Sequence, residues 1–243
     1  MKQSLSAEWL KLRHSRIGIV LAVLPVISLL IGCANYALNR EVLTNGWYSL
    51  WTQVSLFYGE FFLPILVAIV CAWVCRLEHL NRNWNLVLTA PVPVAAVFMA
   101  KWLTASLLIL LAQAMFMGLY GIAGLLLALP GPFPAETIGW ALRGWYACLS
   151  ISALQLGLSL RIRSFAVPVG FSLAAVLIGL GLYVAKWGFY FPYSLLTIGM
   201  HVLSRDALDP LREALFWTVN AGYGLLFAAW SVRGLKGRDA VTG

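Results

Sequence analysis

The chain has 243 residues, of which 61% are hydrophobic and only 11% charged, and its formal net charge is +8. Soluble globular domains carry about 25% charged residues, so this composition excludes an ordinary soluble enzyme or binding domain and predicts a protein that lies in lipid. We predict an all-α fold with a single transmembrane domain over residues 1–243.

The first predicted element is a short amino-terminal helix. Leu5, Trp9 and Leu12 recur at steps of four and three residues and therefore share one helical face. Glu8 and Lys11 lie off that face. The pattern predicts a helix in the membrane interface ahead of the first span. A helix that also contacts a cytoplasmic partner fits the same pattern.

Six apolar segments are long enough to cross about 30 Å of hydrocarbon at about 1.5 Å per residue. We interpret the first as a span, since no small-residue cleavage signal of a signal peptide follows it in a polar setting. The chain is therefore predicted to cross the membrane six times. The predicted spans cover residues 17–38, 54–75, 102–128, 138–160, 165–185 and 215–232.

Two ionisable residues fall inside predicted spans, near their outer ends: Glu60 in the second and Arg143 in the fourth. A charge in the membrane is costly and normally faces a partner or water. One interpretation is that Glu60 and Arg143 pair or line an outward vestibule. The other is that Arg143 extends to the headgroups and Glu60 is protonated in place.

The connection between the second and third spans has an amphipathic pattern. Its apolar residues recur at three- and four-residue steps, at Leu77, Leu80, Trp84 and Leu88. The opposite face carries Glu78, Asn81, Arg82 and Asn85. The spacing predicts a short helix that presents a polar face to the cytoplasm. Such a helix suits docking of a soluble partner, and a helix lying on the membrane without a partner fits the periodicity as well.

The stretch at residues 186–213 is too apolar for a plain solvated loop. Either it dips back into the outer leaflet, where protein must cover its backbone, or it lies on the surface as an aromatic belt. Aromatic residues at the predicted outer membrane boundary are Trp47, Tyr48, Trp51, Trp187, Tyr190 and Tyr193.

The basic residues are distributed unevenly across this six-span arrangement. With the amino terminus in the cytoplasm, 12 of the 17 fall on the cytoplasmic side. These are Lys2, Lys11, Arg13, Arg16, Arg76, Arg82, Lys101, Arg161, Arg163, Arg233, Lys236 and Arg238. This bias predicts a bacterial inner-membrane protein with both termini in the cytoplasm. Since the charge is explained by topology, no nucleic-acid partner is predicted.

Several short motifs resemble those of the ABC-2 type permeases, the membrane subunits of ATP-binding-cassette exporters. They are Glu8-Trp9-x-Lys11, Arg76-x-Glu78, Trp84-x-Leu86, Pro91 and Lys101. The lantibiotic-protection permeases are the most similar group, and the resemblance in topology covers the whole chain. It departs at Pro93, where the family often has a basic residue.

The resemblance implies a permease that dimerises with itself or with a sister permease and is gripped by two ATP-binding-cassette subunits. It implies export of an amphipathic, lantibiotic-like antimicrobial peptide, or of another drug or a lipid. The coupling helix would cover residues 78–88. The residues expected to dock the partner are Glu78, Asn81, Arg82, Trp84, Asn85 and Leu88.

The sequence has no Gly-x-x-x-x-Gly-Lys-Ser/Thr loop, so ATP and Mg²⁺ are expected on the partner subunit and no cofactor on this chain. Cys71 and Cys75 lie one helical turn apart without a nearby His or carboxylate in the same run, so we predict packing and not a metal site.

An ATP-independent channel or scaffold is an alternative function for this chain. An integral-membrane enzyme is less well supported, because the spans lack a cluster of acid, base and nucleophile.

Overall fold

The computed structural model describes residues 2–13, 15–80 and 92–239. Within these ranges the chain forms nine α-helices and no strand, which confirms the all-α class. They are α1 (Lys2–Arg13), α2 (Ile17–Leu38), α3 (Trp47–Ser55), α4 (Leu63–Leu80), α5 (Val94–Leu126), α6 (Glu136–Arg161), α7 (Ala166–Val184), α8 (Pro192–Gly199) and α9 (Pro210–Asp239). A π-helix, Leu56–Phe62, joins α3 to α4, and a 3-10 turn, Gly188–Tyr190, precedes α8.

Five helical segments in the described chain are long and apolar enough to cross a membrane. They are Ile17–Leu38, Trp47–Arg76, Val94–Leu126, Ala166–Val184 and Pro210–Leu235. These segments lie where five of the six spans were predicted, so the protein is a multi-pass membrane protein. The fourth predicted span, 138–160, falls on α6, which has 26 residues but is not among the five. Six crossings therefore stay a prediction.

Helix α6 carries polar side chains that contact neighbouring helices. It packs against α4, α5, α8 and α9, and several of its serines and a glutamine are buried. Gln155 Nε2 donates to the Tyr193 hydroxyl at 2.7 Å, and Trp102 Nε1 donates to Ser152 Oγ at 2.9 Å. Polar side chains on a helix inside a membrane bundle find partners on neighbouring helices.

Helices α2, α7 and α9 form the outside of the bundle. Less than a third of each apolar window is buried within the chain. Large apolar side chains such as Leu30 on α2, Leu177 on α7 and Leu225 on α9 are more than half exposed. These faces are suited to contact lipid or a second membrane subunit.

Two of the tryptophans predicted at the outer membrane boundary lie in the core instead. Trp47 is 5% exposed and Trp51 is fully buried, and both rings pack edge-on against Tyr120 of α5, at 5.5 and 5.2 Å between centroids. These two rings therefore face protein and not lipid headgroups, because α3 turns this face towards α5. Their depth at the outer membrane boundary stays a prediction. Trp187 and Tyr190, by contrast, are exposed.

Helix α8, within the apolar 186–213 stretch, lies inside the bundle. All eight of its residues are buried, and it packs against α6, α7 and α9. Gly144 of α6 allows this close packing, since a Cβ there would stand 2.3 Å from Met200 Cγ. Protein therefore covers α8, as a segment that re-enters the membrane requires. Its depth in the membrane stays a prediction.

Candidate functional site

Four charged side chains form a buried cluster at one end of the bundle: Glu8 and Lys11 on α1, Glu78 on α4 and Lys101 on α5. Lys101 is 0% exposed. Its Nζ lies 2.7 Å from Glu78 Oε1 and 3.1 Å from both carboxylate oxygens of Glu8, and it donates to the Val74 carbonyl at 3.0 Å. Since an ammonium has three donors, these three groups satisfy it completely.

Lys11 lies at the edge of the cluster and pairs with both of its carboxylates. Its Nζ lies 2.7 Å from Glu8 Oε1 and 2.6 Å from Glu78 Oε1. Each carboxylate thus bridges both ammonium groups, and the two positive and two negative charges balance. The cluster ties together three helices that are far apart in sequence.

Glu78 is 2% exposed, yet its surroundings favour the charged carboxylate. Burial alone would raise the pKa of Glu78, but the charge of Lys101 and the hydrogen bonds from Lys101 and Lys11 outweigh it, so that the pKa lies below its ordinary value. Removing one member of a buried pair leaves an uncompensated charge, which costs about 3–5 kcal/mol. The cluster is therefore a stiff connection between α1, α4 and α5.

Helix α1 turns its charges inward and its apolar residues outward. Leu5 and Trp9 are 40% and 51% exposed, whereas Glu8 is 6% exposed and faces the bundle. In water this orientation would be unfavourable, but a helix at a lipid boundary can expose its apolar face. The inward charges allow α1 to pack against α5.

The predicted docking residues fall into two groups. Glu78 belongs to the last turn of α4, which continues to Leu80. In the structure Glu78 faces the cluster and not an outside partner, because Lys101 and Lys11 attract its carboxylate inward. The other predicted docking residues, Asn81, Arg82, Trp84, Asn85 and Leu88, lie outside the described residues.

The structure gives Glu60 and Arg143 different partners. Glu60, in the π-helix, is 3% exposed and accepts a hydrogen bond from Thr197 Oγ1 at 2.6 Å. Arg143 Nη2 lies 2.9 Å from Glu213 Oε1 on α9, and its Nη1 lies 3.3 Å from His201 Nε2. Among the described residues, Glu60 and Arg143 form no ion pair with each other, because α6 directs Arg143 towards α9.

His201 is held in one protonation state by this arrangement. Its Nδ1 lies 3.2 Å from the Ser204 carbonyl, which can only accept, so Nδ1 carries the proton and Nε2 accepts from Arg143. Burial and the charge of Arg143 lower the pKa of His201. A cavity of about 660 Å³ opens beside it and is lined by Thr197 as well as His201. The outward vestibule predicted at Glu60 and Arg143 stays a prediction.

From the sequence, the four residues of the cluster were not predicted to lie close together. Each belongs to one of the quoted motifs, but a motif does not give the distance between residues that are far apart in the chain. The distribution of acidic residues does contain a signal for the cluster: of the nine, only Glu8, Glu78 and Asp239 fall in the predicted cytoplasmic segments. Two of these three are in the cluster. Carboxylates on an otherwise basic face are therefore candidates for buried pairing.

Comparison of the chain with known protein families identifies a matching family. A family model described as ABC-2 family transporter protein matches residues 4–179, well over half of the chain. The matched region runs from α1 into α7 and includes all four residues of the ion cluster. No curated protein matches the chain.

Proposed function

The chain belongs to the ABC-2 family of transporter proteins, and on that premise we propose that it is the permease subunit of an ATP-binding-cassette exporter. The family is a membrane transport component without an ATPase of its own, and it implies association with an ATP-binding cassette subunit. The bias of the basic residues supports a location in a bacterial inner membrane with both termini in the cytoplasm.

The observation that carries this proposal is the buried ion cluster at the end of α4. Glu78 stands two residues before α4 ends at Leu80, where the predicted coupling segment continues. A force on that segment would reach Glu78 through the helix backbone. Because Glu78 is paired with Lys101, which also holds Glu8, α5 and α1 would move with α4.

In this mechanism Glu78 anchors the coupling segment and other residues contact the partner. We assign the partner contact to the remaining predicted residues, Asn81, Arg82, Trp84, Asn85 and Leu88. ATP-driven closure of the partner subunits would push this segment and open the permease outward. The contact must differ between the nucleotide states, since a contact of equal strength in both states transmits no energy.

The permease would work as a dimer with a second copy or with a sister permease. The exposed apolar faces of α2, α7 and α9 leave room for such a neighbour. The cargo we propose is an amphipathic antimicrobial peptide of the lantibiotic type, with another drug or a lipid as the alternative. The resemblance to the lantibiotic-protection permeases supports this cargo class.

Purification of the tagged chain from membranes of its own host tests the proposal. We expect a chain with a phosphate-binding loop to be recovered in stoichiometric amount, together with ATPase activity. The double substitution Trp84→Ala and Asn85→Ala should lower the recovered ATPase about tenfold, as a loss of about 1.4 kcal/mol in binding would. Trp187→Ala removes an exposed tryptophan from the 186–213 stretch and should change nothing.

Recovery of the ATPase at wild-type level with the double variant would contradict the assigned docking segment. A folded wild-type chain that never brings down an ATPase would favour the passive channel or scaffold.

A further inference from the structure

A second cavity, of about 370 Å³, lies between the end of α4, the end of α6 and the start of α7. Its charged lining comes from Arg76 and Arg163, with His79 beside them. No carboxylate contributes to the lining among the described residues. The cavity is separate from the ion cluster and from the larger cavity at His201.

The two arginines carry charges that the described chain does not neutralise. Neither Arg76 nor Arg163 forms an ion pair with a described carboxylate, and both are exposed. The Arg76 guanidinium lies 5.2 Å from the centre of the Trp73 ring, which holds it in place without compensating its charge. Two uncompensated cations from different segments that line one cavity attract an anion.

The start of helix α7 lies beside the same cavity. Helix α7 begins at Ala166, and its N-cap residue Phe165, which lines the cavity, provides no side-chain cap. Pro168 has no N–H, so the uncapped backbone donors at the start of the helix are those of Ala166 and Val167.

The cavity therefore offers two guanidinium groups to a ligand. Guanidinium groups suit a phosphate, because they can donate two parallel hydrogen bonds to its oxygens.

The apolar surface beside the cavity indicates where that phosphate comes from. Phe165, Val167 and Phe171 are 40%, 49% and 44% exposed and run from the cavity along α7, a helix long enough to span the membrane. A lipid whose headgroup entered the cavity would lay its acyl chains on this face. Basic pockets between membrane helices are suited to anionic headgroups.

We propose that this cavity binds the phosphate of an anionic phospholipid, from the leaflet on the side where α4 and α6 end. Arg76 and Arg163 contact the phosphate, and the acyl chains follow α7. The proposal requires that the chain spans a membrane but does not depend on an ATPase partner or a cargo. It can therefore be tested on the purified chain alone.

Native mass spectrometry of the full chain, with phosphatidylglycerol and phosphatidylcholine as probes, measures this binding. We expect wild type to retain one phosphatidylglycerol in preference to phosphatidylcholine. The double substitution Arg76→Gln and Arg163→Gln should weaken that binding about 25-fold, at about fivefold for each basic side chain.

Arg205→Gln and Arg212→Gln are the matched controls, since they remove two exposed arginines from the loop between α8 and α9 and its junction with α9. They should leave the binding unchanged.

Equal binding of the two lipids by wild type, or equal phosphatidylglycerol binding by wild type and the double variant, would overturn the proposal. Displacement of phosphatidylglycerol by inorganic phosphate at matched concentration would overturn the lipid assignment in favour of free phosphate. If the double variant does not fold, Arg163→Gln alone should show the fivefold loss.

Discussion

Lys101 is a full positive charge with no solvent exposure, in a helix that is long and apolar enough to cross a membrane. An isolated ammonium in such a place is costly. Glu8, Glu78 and the Val74 carbonyl compensate it. The pairs also restrict how α1, α4 and α5 can move, which is the mechanical property that a coupling site needs.

Lys101→Met should destabilise the protein by about 3–5 kcal/mol, because it leaves two buried carboxylates with one ammonium. The double substitution Glu78→Gln and Lys101→Met should cost less, since Glu8 and Lys11 then remain as a balanced pair. Thermal unfolding of the purified chain measures both variants. Lys186→Met, at an exposed position, serves as the control. A double variant less stable than Lys101→Met alone would argue that the charges do not act as a cluster.

Arg143 offers a second test at the scale of single residues. Because it pairs with Glu213 at 2.9 Å and both side chains are more than a quarter exposed, Arg143→Glu should cost about 1 kcal/mol after solvent screening. Exchanging the two residues, Arg143→Glu with Glu213→Arg, should recover much of this loss in a thermal unfolding measurement. The exchange of Arg143 with Glu60 should recover none, and recovery there would support the pairing predicted from the sequence.

These two sites show the limit of reading partners from sequence. Pairing of Glu60 with Arg143 was one of two interpretations open from the sequence, because both residues lie near the outer ends of spans. Similar depth does not fix which way a helix is rotated. In the cluster, Glu8 and Lys101 are 93 residues apart, and hydrophobic periodicity contains no information on such a distance.

At the scale of helices, sequence predictions were best where lipid sets the pattern. The first span was predicted at residues 17–38, and α2 is Ile17–Leu38, which contains no charged residue. The second was predicted from residue 54, whereas its helix begins at Trp47. Polar residues such as Ser49 and Thr52 lower the hydropathy of α3, although much of α3 is buried against other helices.

Helix α6 carries a prediction about packing against α8. Gly144→Ala should destabilise the protein by about 1–3 kcal/mol, since the added methyl group overlaps Met200 in a filled core. Gly139→Ala on the same helix meets nothing within 4 Å, and by helix propensity alone it should stabilise by up to about 1 kcal/mol. Thermal unfolding compares the two, and equal effects would show that α8 does not pack on α6 as described.

At the scale of the whole molecule, the two ends of the described bundle differ. One end holds the ion cluster and the cavity with Arg76 and Arg163, next to both the start of α1 and the predicted coupling segment. The other holds the cavity of about 660 Å³ at His201. The proposed exporter requires that the first end faces the cytoplasm, where ATP is available, and that the second faces outward.

The side of the membrane on which the coupling segment lies is therefore the most direct test of the account. The measurement uses Asn85→Cys in a chain whose own cysteines, Cys33, Cys71, Cys75 and Cys148, are replaced, and labels it with a membrane-impermeant maleimide. We expect no labelling of this cysteine in spheroplasts with an intact inner membrane and full labelling after permeabilisation, while Lys186→Cys is labelled in both. Labelling of Asn85→Cys in intact spheroplasts would contradict the account.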